Sequence, residues 1–170
     1  QMFNHGVITA MLFLLVGMIY DRAHHRWIVY PDDYHNPDLA GKMGFGGLAN
    51  TMPIYSGFVM IAFFAGLGLP GLSGFISEAF CFIGGFSVYK FLTVVATLGI
   101  LLNAVYFLRA YQRIFWGEVS EKNAELEDMN YIDMITVIPL TILIVFLGVY
   151  PSPLINIIQP AIQKIINIIQ

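Results

Sequence analysis

Apolar residues run along this chain in long, almost uninterrupted blocks. No Asp, Glu, Lys or Arg occurs in 1–20, 91–108 or 134–163, and Glu78 is the sole such residue between Met43 and Tyr89. The other charges gather in 21–42, at Lys90, in 109–133 and at Lys164. A helix that crosses a bilayer needs about 20 mostly apolar residues. The pattern therefore predicts spans over 1–20, 91–108 and 134–150, with a longer apolar region over 53–88.

That longer region does not fit one straight helix, which would run about 54 Å against a hydrocarbon core of about 30 Å. Its middle reads Gly66-Leu-Gly-Leu-Pro-Gly-Leu-Ser-Gly74. Pro70 lacks an amide donor and pushes the preceding residue out of helical geometry, and the glycines weaken the helix further. A break near 68–74 follows. Two arrangements satisfy it: a hairpin of two short spans, or one broken helix that crosses once.

Charge distribution separates them. With a single crossing, Arg22, Arg26, Lys42, Arg109, Arg113 and Lys122 share one face, against Lys90 and Lys164 on the other. A hairpin divides the cations 5 to 3 instead of 6 to 2. The excess of basic residues in cytoplasmic loops favours the single crossing, with loops 21–50 and 109–133 cytoplasmic and the C-terminus outside. The tail from Pro153 carries polar residues at Asn156, Gln159, Gln163, Asn167 and Gln170, a helical spacing that predicts an amphipathic helix at the outer interface or against another subunit, with a kink at Pro160. The expected fold is an all-α, polytopic transmembrane bundle of four spans, one of them broken, over 1–152, followed by an amphipathic helix over 153–170.

Composition agrees with this reading. Hydrophobic residues make up 58% of the 170, and charged residues 11% against about 25% in a soluble domain. A net charge of −3 without a basic patch gives no footing for nucleic acid. One cysteine, Cys81, excludes a disulfide framework and any cysteine-built metal or cluster site, and no glycine-rich phosphate loop is present. No nucleotide, flavin, heme or cluster is expected in this chain. The chain opens inside an apolar run with neither an initiator Met nor a basic leader, which reads as the C-terminal piece of a longer protein.

Few residues carry candidate chemistry. Glu78 follows the predicted break by about one turn. A charge at the bilayer centre costs about 2.5–3.5 kcal/mol on insertion scales, so an acid there is expected to be used or paired. A carboxyl group away from bulk water can load and release a proton, and broken helices recur beside ion paths. The structural alternative is an ion pair with a Lys on a helix missing from this chain. His5, within the first span, suits a proton relay, since an imidazole can accept a proton on one nitrogen and donate from the other; a hydrogen-bonded core histidine is the plainer alternative. His24 and His25 sit at the membrane edge without the facing partners a heme needs. Pro31-Asp-Asp-Tyr-His-Asn-Pro-Asp38 reads as a solvated loop, not a metal site, and Glu118, Glu121, Glu125, Glu127 and Asp128 as a solvated acidic face. Arg109 and Arg113 read as interfacial anchors, and Trp27 and Trp116 as an aromatic belt.

Gly68-Leu-Pro-Gly-Leu-Ser-Gly-Phe-Ile-Ser-Glu78, with Leu67 before it, closely resembles the L-G-x-P-G-x-x-x-F-x-x-E stretch of the chain M (subunit 4) family of antiporter-like subunits of proton-pumping NADH:quinone oxidoreductase, complex I. Gln1-Met-Phe-Asn-His5 through Phe13 resembles that family's histidine-bearing helix, and Tyr20-Asp-Arg-Ala-His24 its closing motif. Gly46-Gly-Leu-Ala-Asn-Thr-Met-Pro53 resembles its next loop, and Leu147-Gly-Val-Tyr-Pro151 its last-helix ending. The loop between Trp27 and Gly44 looks longer than is common. The resemblance implies that the spans are the family's helices 11 to 14, with 12 broken, and that about two-thirds of the family's chain lies upstream, including its first-channel Glu and central Lys. It places Glu78 on the helix-12 glutamate near the proton exit and His5 on the helix-11 histidine; related chains usually carry Lys at the former.

The function this implies is proton translocation by a multi-pass subunit of the inner (cytoplasmic) membrane, within a translocase, through a hydrated path holding Glu78 and His5. NADH, FMN, iron–sulfur clusters and quinone would belong to partner subunits of the complex. The rivals are a multisubunit cation/proton antiporter chain, a membrane subunit of an energy-converting hydrogenase, and a passive structural or assembly subunit.

Overall fold

The computed structural model describes residues 1–30, 35, 38, 42, 44–119 and 123–169. Seven helices are found among them: α1 Met2–Ala23, α2 Leu48–Thr51, α3 Pro53–Gly66, α4 Ser73–Val88, α5 Lys90–Phe115, α6 Tyr131–Val149 and α7 Ser152–Ile169. α1, α5 and α6 are long and apolar enough to cross a membrane, while α3 and α4 are shorter apolar helices. The chain is an all-helical integral membrane bundle. The spans outgrow their apolar cores: α5 carries on through Arg109 and Arg113, which stay exposed at its end.

Proline and glycine make the break where the sequence places them, with one adjustment. Residues 67–72 are non-helical, whereas Ser73 and Gly74 already belong to α4. Gly68 and Gly71 take φ of 80° and 95°, the left-handed region that stops a helix. The first turn of α4 comes back beside the last turn of α3, and any Cβ on Gly74 would collide with the Ala65 carbonyl. The centre of the break is not enclosed within this chain, since Leu69, Pro70 and Gly71 are exposed. Pro139 and Pro160 both lie inside continuous helices, so Pro160 does not divide α7.

The neighbours of α5 distinguish a single crossing from a hairpin. Thr93 Oγ1 would lie 3.1 Å from a Cβ on Gly85 of α4. Asn103 Nδ2 donates to the Gly66 carbonyl at 2.9 Å. The Phe107 and Phe63 rings meet at 5.1 Å, the Tyr111 and Ser56 hydroxyls at 2.8 Å, and Phe115 lies 5.9 Å from Tyr55. One straight helix thus passes the end of α4, then the end of α3, then its start. From Thr93 to Phe115 it rises about 33 Å at about 1.5 Å per residue, a membrane thickness. Tyr55 and Gly85 are therefore at opposite ends, and α3 and α4 make one broken crossing.

The loops follow from this. Gly47 N donates to the Trp116 carbonyl at 3.1 Å and Asn123 Nδ2 to the Gly44 carbonyl at 3.0 Å, so the segments after α1 and after α5 meet on one face. On that face Arg22 pairs with Asp133 and donates to the Glu127 carbonyl at 3.0 Å. Asp133 also closes a reciprocal cap with Asn130, Asp133 N to Asn130 Oδ1 at 2.9 Å and Asn130 N to Asp133 Oδ2 at 3.0 Å. Asp128 accepts from the first amides of α3, Ile54 N at 2.8 Å and Tyr55 N at 3.0 Å. The acidic segment is thus more than a solvated face: Asp128 and Asp133 tie the ends of α1, α3 and α6 together. Met11, Leu15, Ala62, Ala65, Phe115, Val137 and Ile144 form the buried core between these helices. At the opposite face α7 leaves α6 after Pro151, and from Ile155 to Ile168 it is exposed along its whole length.

Cysteines introduced at Asp38 and Glu125 should label from the same side of sealed vesicles and one at Ser152 from the other; labelling of the first two from opposite sides would restore the hairpin. Asp128→Ala should cost about 1 kcal/mol, the usual worth of a helix N-cap, read as a lower denaturation midpoint of the solubilised protein. Asp128→Asn, which keeps an acceptor, should cost less.

Candidate functional site

Three elements converge on the break. α1 runs antiparallel to α3, with the Tyr55 hydroxyl donating to the Leu15 carbonyl at 3.0 Å and Asn4 Nδ2 to the Ser73 carbonyl at 2.9 Å. The second bond fastens the start of α4 to the first turn of α1, so His5, the next residue of α1, comes to the level of α4. α5 closes the third side through Asn103 and Phe107, whose ring would meet any Cβ on Gly66.

Between these elements lies a cavity of about 170 Å³, lined by His5 and Thr9 of α1, Gly66 of α3, Glu78 of α4, and Asn103 and Tyr106 of α5, among others. The two residues singled out as proton carriers therefore face one space. The cavity is about the size for a few water molecules, each taking about 30 Å³ in the liquid, and its lining has the polar groups such water requires. Glu78 is half-buried and His5 exposed on this chain. Among the described residues Glu78 has neither an ion pair nor a hydrogen bond.

Glu78 bends back over the break. Its Oε2 lies 2.5 Å from the point where a Cβ on Gly68 would sit. Glycine is required there twice, for the backbone at φ 80° and for the space the carboxyl group fills. The glycine before Leu69-Pro70 thus has a side-chain reason as well as a backbone one.

Other candidates fall elsewhere. His24 ends α1 in the left-handed region, φ 54°, and His25 stacks on Phe45 with centroids 4.4 Å apart. Both lie at the Arg22 face, far from Glu78. His35 and Asp38 are exposed, while Pro31 to Tyr34, Asn36, Pro37 and Glu121 lie outside the described residues. A larger, mostly apolar cavity of about 300 Å³ opens nearer that face, with Arg26 and Tyr55 as its polar edge. The sequence reading passed over Asn103 and Thr9. Asn103 had a signal, as the only Asn or Gln in 90–111.

Residues 1–103 match the family described as NADH:quinone oxidoreductase/Mrp antiporter, transmembrane. Proteins named NADH-quinone oxidoreductase subunit M are similar along nearly the whole chain. That of Rickettsia felis is 35% identical over 167 residues, covering 98% of this chain and 31% of its own. That of Rhodobacter capsulatus is 37% identical over 168 residues, 98% and 30%. That of Mycobacterium tuberculosis is 38% identical over 163 residues, 96% and 27%. The chain thus spans about a third of the length of these relatives. Among solved structures, respiratory complex I from Thermus thermophilus with bound NADH contains a chain that superposes with a TM-score of 0.70 at 27% identity, covering 89% of this chain and 29% of that one.

Gly68→Ala should destabilise by about 1–2 kcal/mol from the left-handed backbone alone, plus the displacement of Glu78. Gly71→Ala, where a Cβ meets no atom within 4 Å, should pay only the backbone cost. In a Glu78→Ala background the two glycine variants should become equal. A difference that survives there, measured by denaturation midpoints, would mean that the carboxyl group is not what Gly68 accommodates.

Proposed function

This chain belongs to the NADH:quinone oxidoreductase/Mrp antiporter transmembrane family, in its subunit-M-like branch, and on that premise we propose that it moves protons across the inner membrane as part of a respiratory NADH:quinone oxidoreductase. The observation that carries the reading is the shared cavity: Glu78, the only formal charge in 43–89, faces the same polar space as His5, beside a break in the helix that bears it.

Protons move between such groups through water. The Glu78 carboxyl group takes a proton from one side and yields it to the other; the His5 imidazole accepts on one nitrogen and donates from the other. Tyr106, in the same lining, offers a hydroxyl that both accepts and donates. None of these groups performs redox chemistry. NADH oxidation, flavin, clusters and quinone belong to partner subunits, and the contacts of this chain are with other membrane-arm subunits and lipid. In this reading the Arg22 face, with loops 21–50 and 109–133, is cytoplasmic, because among the described residues it collects Arg22, Arg26, Lys42, Arg109 and Arg113 against Lys90 and Lys164, and α7 lies outside. The names of the relatives favour the respiratory complex over a separate cation/proton antiporter, and an undiminished activity without sodium would separate the two.

Glu78→Gln keeps shape and hydrogen bonding but cannot ionise. It should assemble normally while NADH-driven proton uptake into sealed vesicles falls by about tenfold or more, the scale expected when a proton-transfer group is removed. Glu78→Asp should retain part of the activity, and His5→Ala should be milder, since water can replace an imidazole in a relay. A Glu78→Gln complex that assembles and pumps at the parent rate would sink the proposal.

A further inference from the structure

A helix that ends inside a bilayer leaves its last four carbonyls without helical partners, and there is no water in hydrocarbon to take their place. At the end of α3 each can be traced. The Phe63 carbonyl accepts from Leu67 N at 2.8 Å, that of Phe64 from Leu69 N at 2.9 Å, and that of Ala65 from Gly68 N at 3.3 Å. The fourth, on Gly66, accepts from a side chain of another helix, Asn103 Nδ2 of α5 at 2.9 Å. Three of the four are closed by the turn itself. The last is closed by a residue that also lines the cavity of Glu78 and His5.

This bond has geometric leverage. Gly66 is two residues before Gly68, and Gly68 lies against the Glu78 carboxyl group. The Asn103 bond therefore holds against α5 the turn on which Glu78 rests. We propose that Asn103 is a positioning residue for proton transfer: by fixing the Gly66 carbonyl it sets where the unwound segment, and with it the Glu78 carboxyl group, sits in the cavity. This rests on the proposed role of Glu78 but concerns a different residue on a different helix. The titratable groups that share the Glu78 cavity are His5 from α1 and Tyr106 from α5. α3 contributes only Ala65 and Gly66 to its lining, and α6 has no titratable residue between Asp133 and Tyr150.

Asn103→Leu keeps the branched shape and removes the donor, and Asn103→Ser restores a shorter donor that one water can extend. The probe is a hydrophobic carbodiimide, which modifies carboxyl groups in their protonated form, applied to the intact complex in membranes; labelling of Glu78 is followed against pH, with Glu78→Gln as the blank. Proton uptake is measured in parallel. Asn103→Leu should assemble, displace the labelling–pH profile of Glu78, and lower proton uptake by about threefold to tenfold, the range set by one lost hydrogen bond. Asn103→Ser should return both toward the parent. If Asn103→Leu leaves the profile and the uptake unchanged, or if both variants fail to assemble, Asn103 is a packing residue and the inference is overturned. A displaced profile in a complex whose uptake does not respond to Glu78→Gln would leave the positioning role intact while removing the proposed role of Glu78.

Discussion

Backbone that stops being helical in the middle of a bilayer must still have its hydrogen bonds made, and the rest of this bundle is arranged around that demand. The demand explains why α3 and α4 overlap by their ends, with Gly74 against the Ala65 carbonyl, instead of parting across a gap. It explains the left-handed Gly68, which turns the chain tightly enough for the Leu69 amide to reach back to the Phe64 carbonyl. It also explains why polar side chains sit on otherwise apolar helices: Asn4 and Asn103 each spend a donor on a carbonyl at the break. A site that tolerates a carboxyl group follows from the same economy, since polar atoms brought in for the backbone make surroundings in which Glu78 is not isolated in lipid.

Much of this was legible in the sequence. Charge-free stretches located the spans, and the glycines with Pro70 located the break to within two residues. The distribution of eight cations pointed to the single crossing that the contacts of α5 require. These features are local or additive, and periodicity and charge counting read them directly. Glu78 stood out for the same reason, as one charge in an apolar run.

The rest was hidden because it depends on pairs far apart in the chain. Asp128 looked like one more solvated acid in an acidic loop, yet it caps a helix that begins more than seventy residues earlier. Asn103 passed as an ordinary residue in a span, since nothing near it in sequence announces the Gly66 carbonyl. The cavity beside Glu78 was hidden for a related reason: it forms where α1, α4 and α5 meet, far apart in the chain. Side-chain bonds to backbone carry no periodic signature, so only the packed helices reveal them.

The two ends of the bundle are fastened unequally. At the Arg22 face an ion pair, a reciprocal cap, a carboxylate cap and bonds between the Gly44–Gly47 and Trp116–Asn123 segments join every element that arrives there. At the Lys90 face the connections are single residues or a short turn, at Tyr89 and at Tyr150–Pro151. The broken helix therefore has one half, α3, fastened at the end away from the break, and another, α4, fastened at its start by the Asn4 bond to the Ser73 carbonyl. In mechanical terms the molecule is a clamped beam with a notch near its middle. The notch, residues 67–72, separates the half fastened at the Arg22 face from α4, the half that carries the carboxyl group.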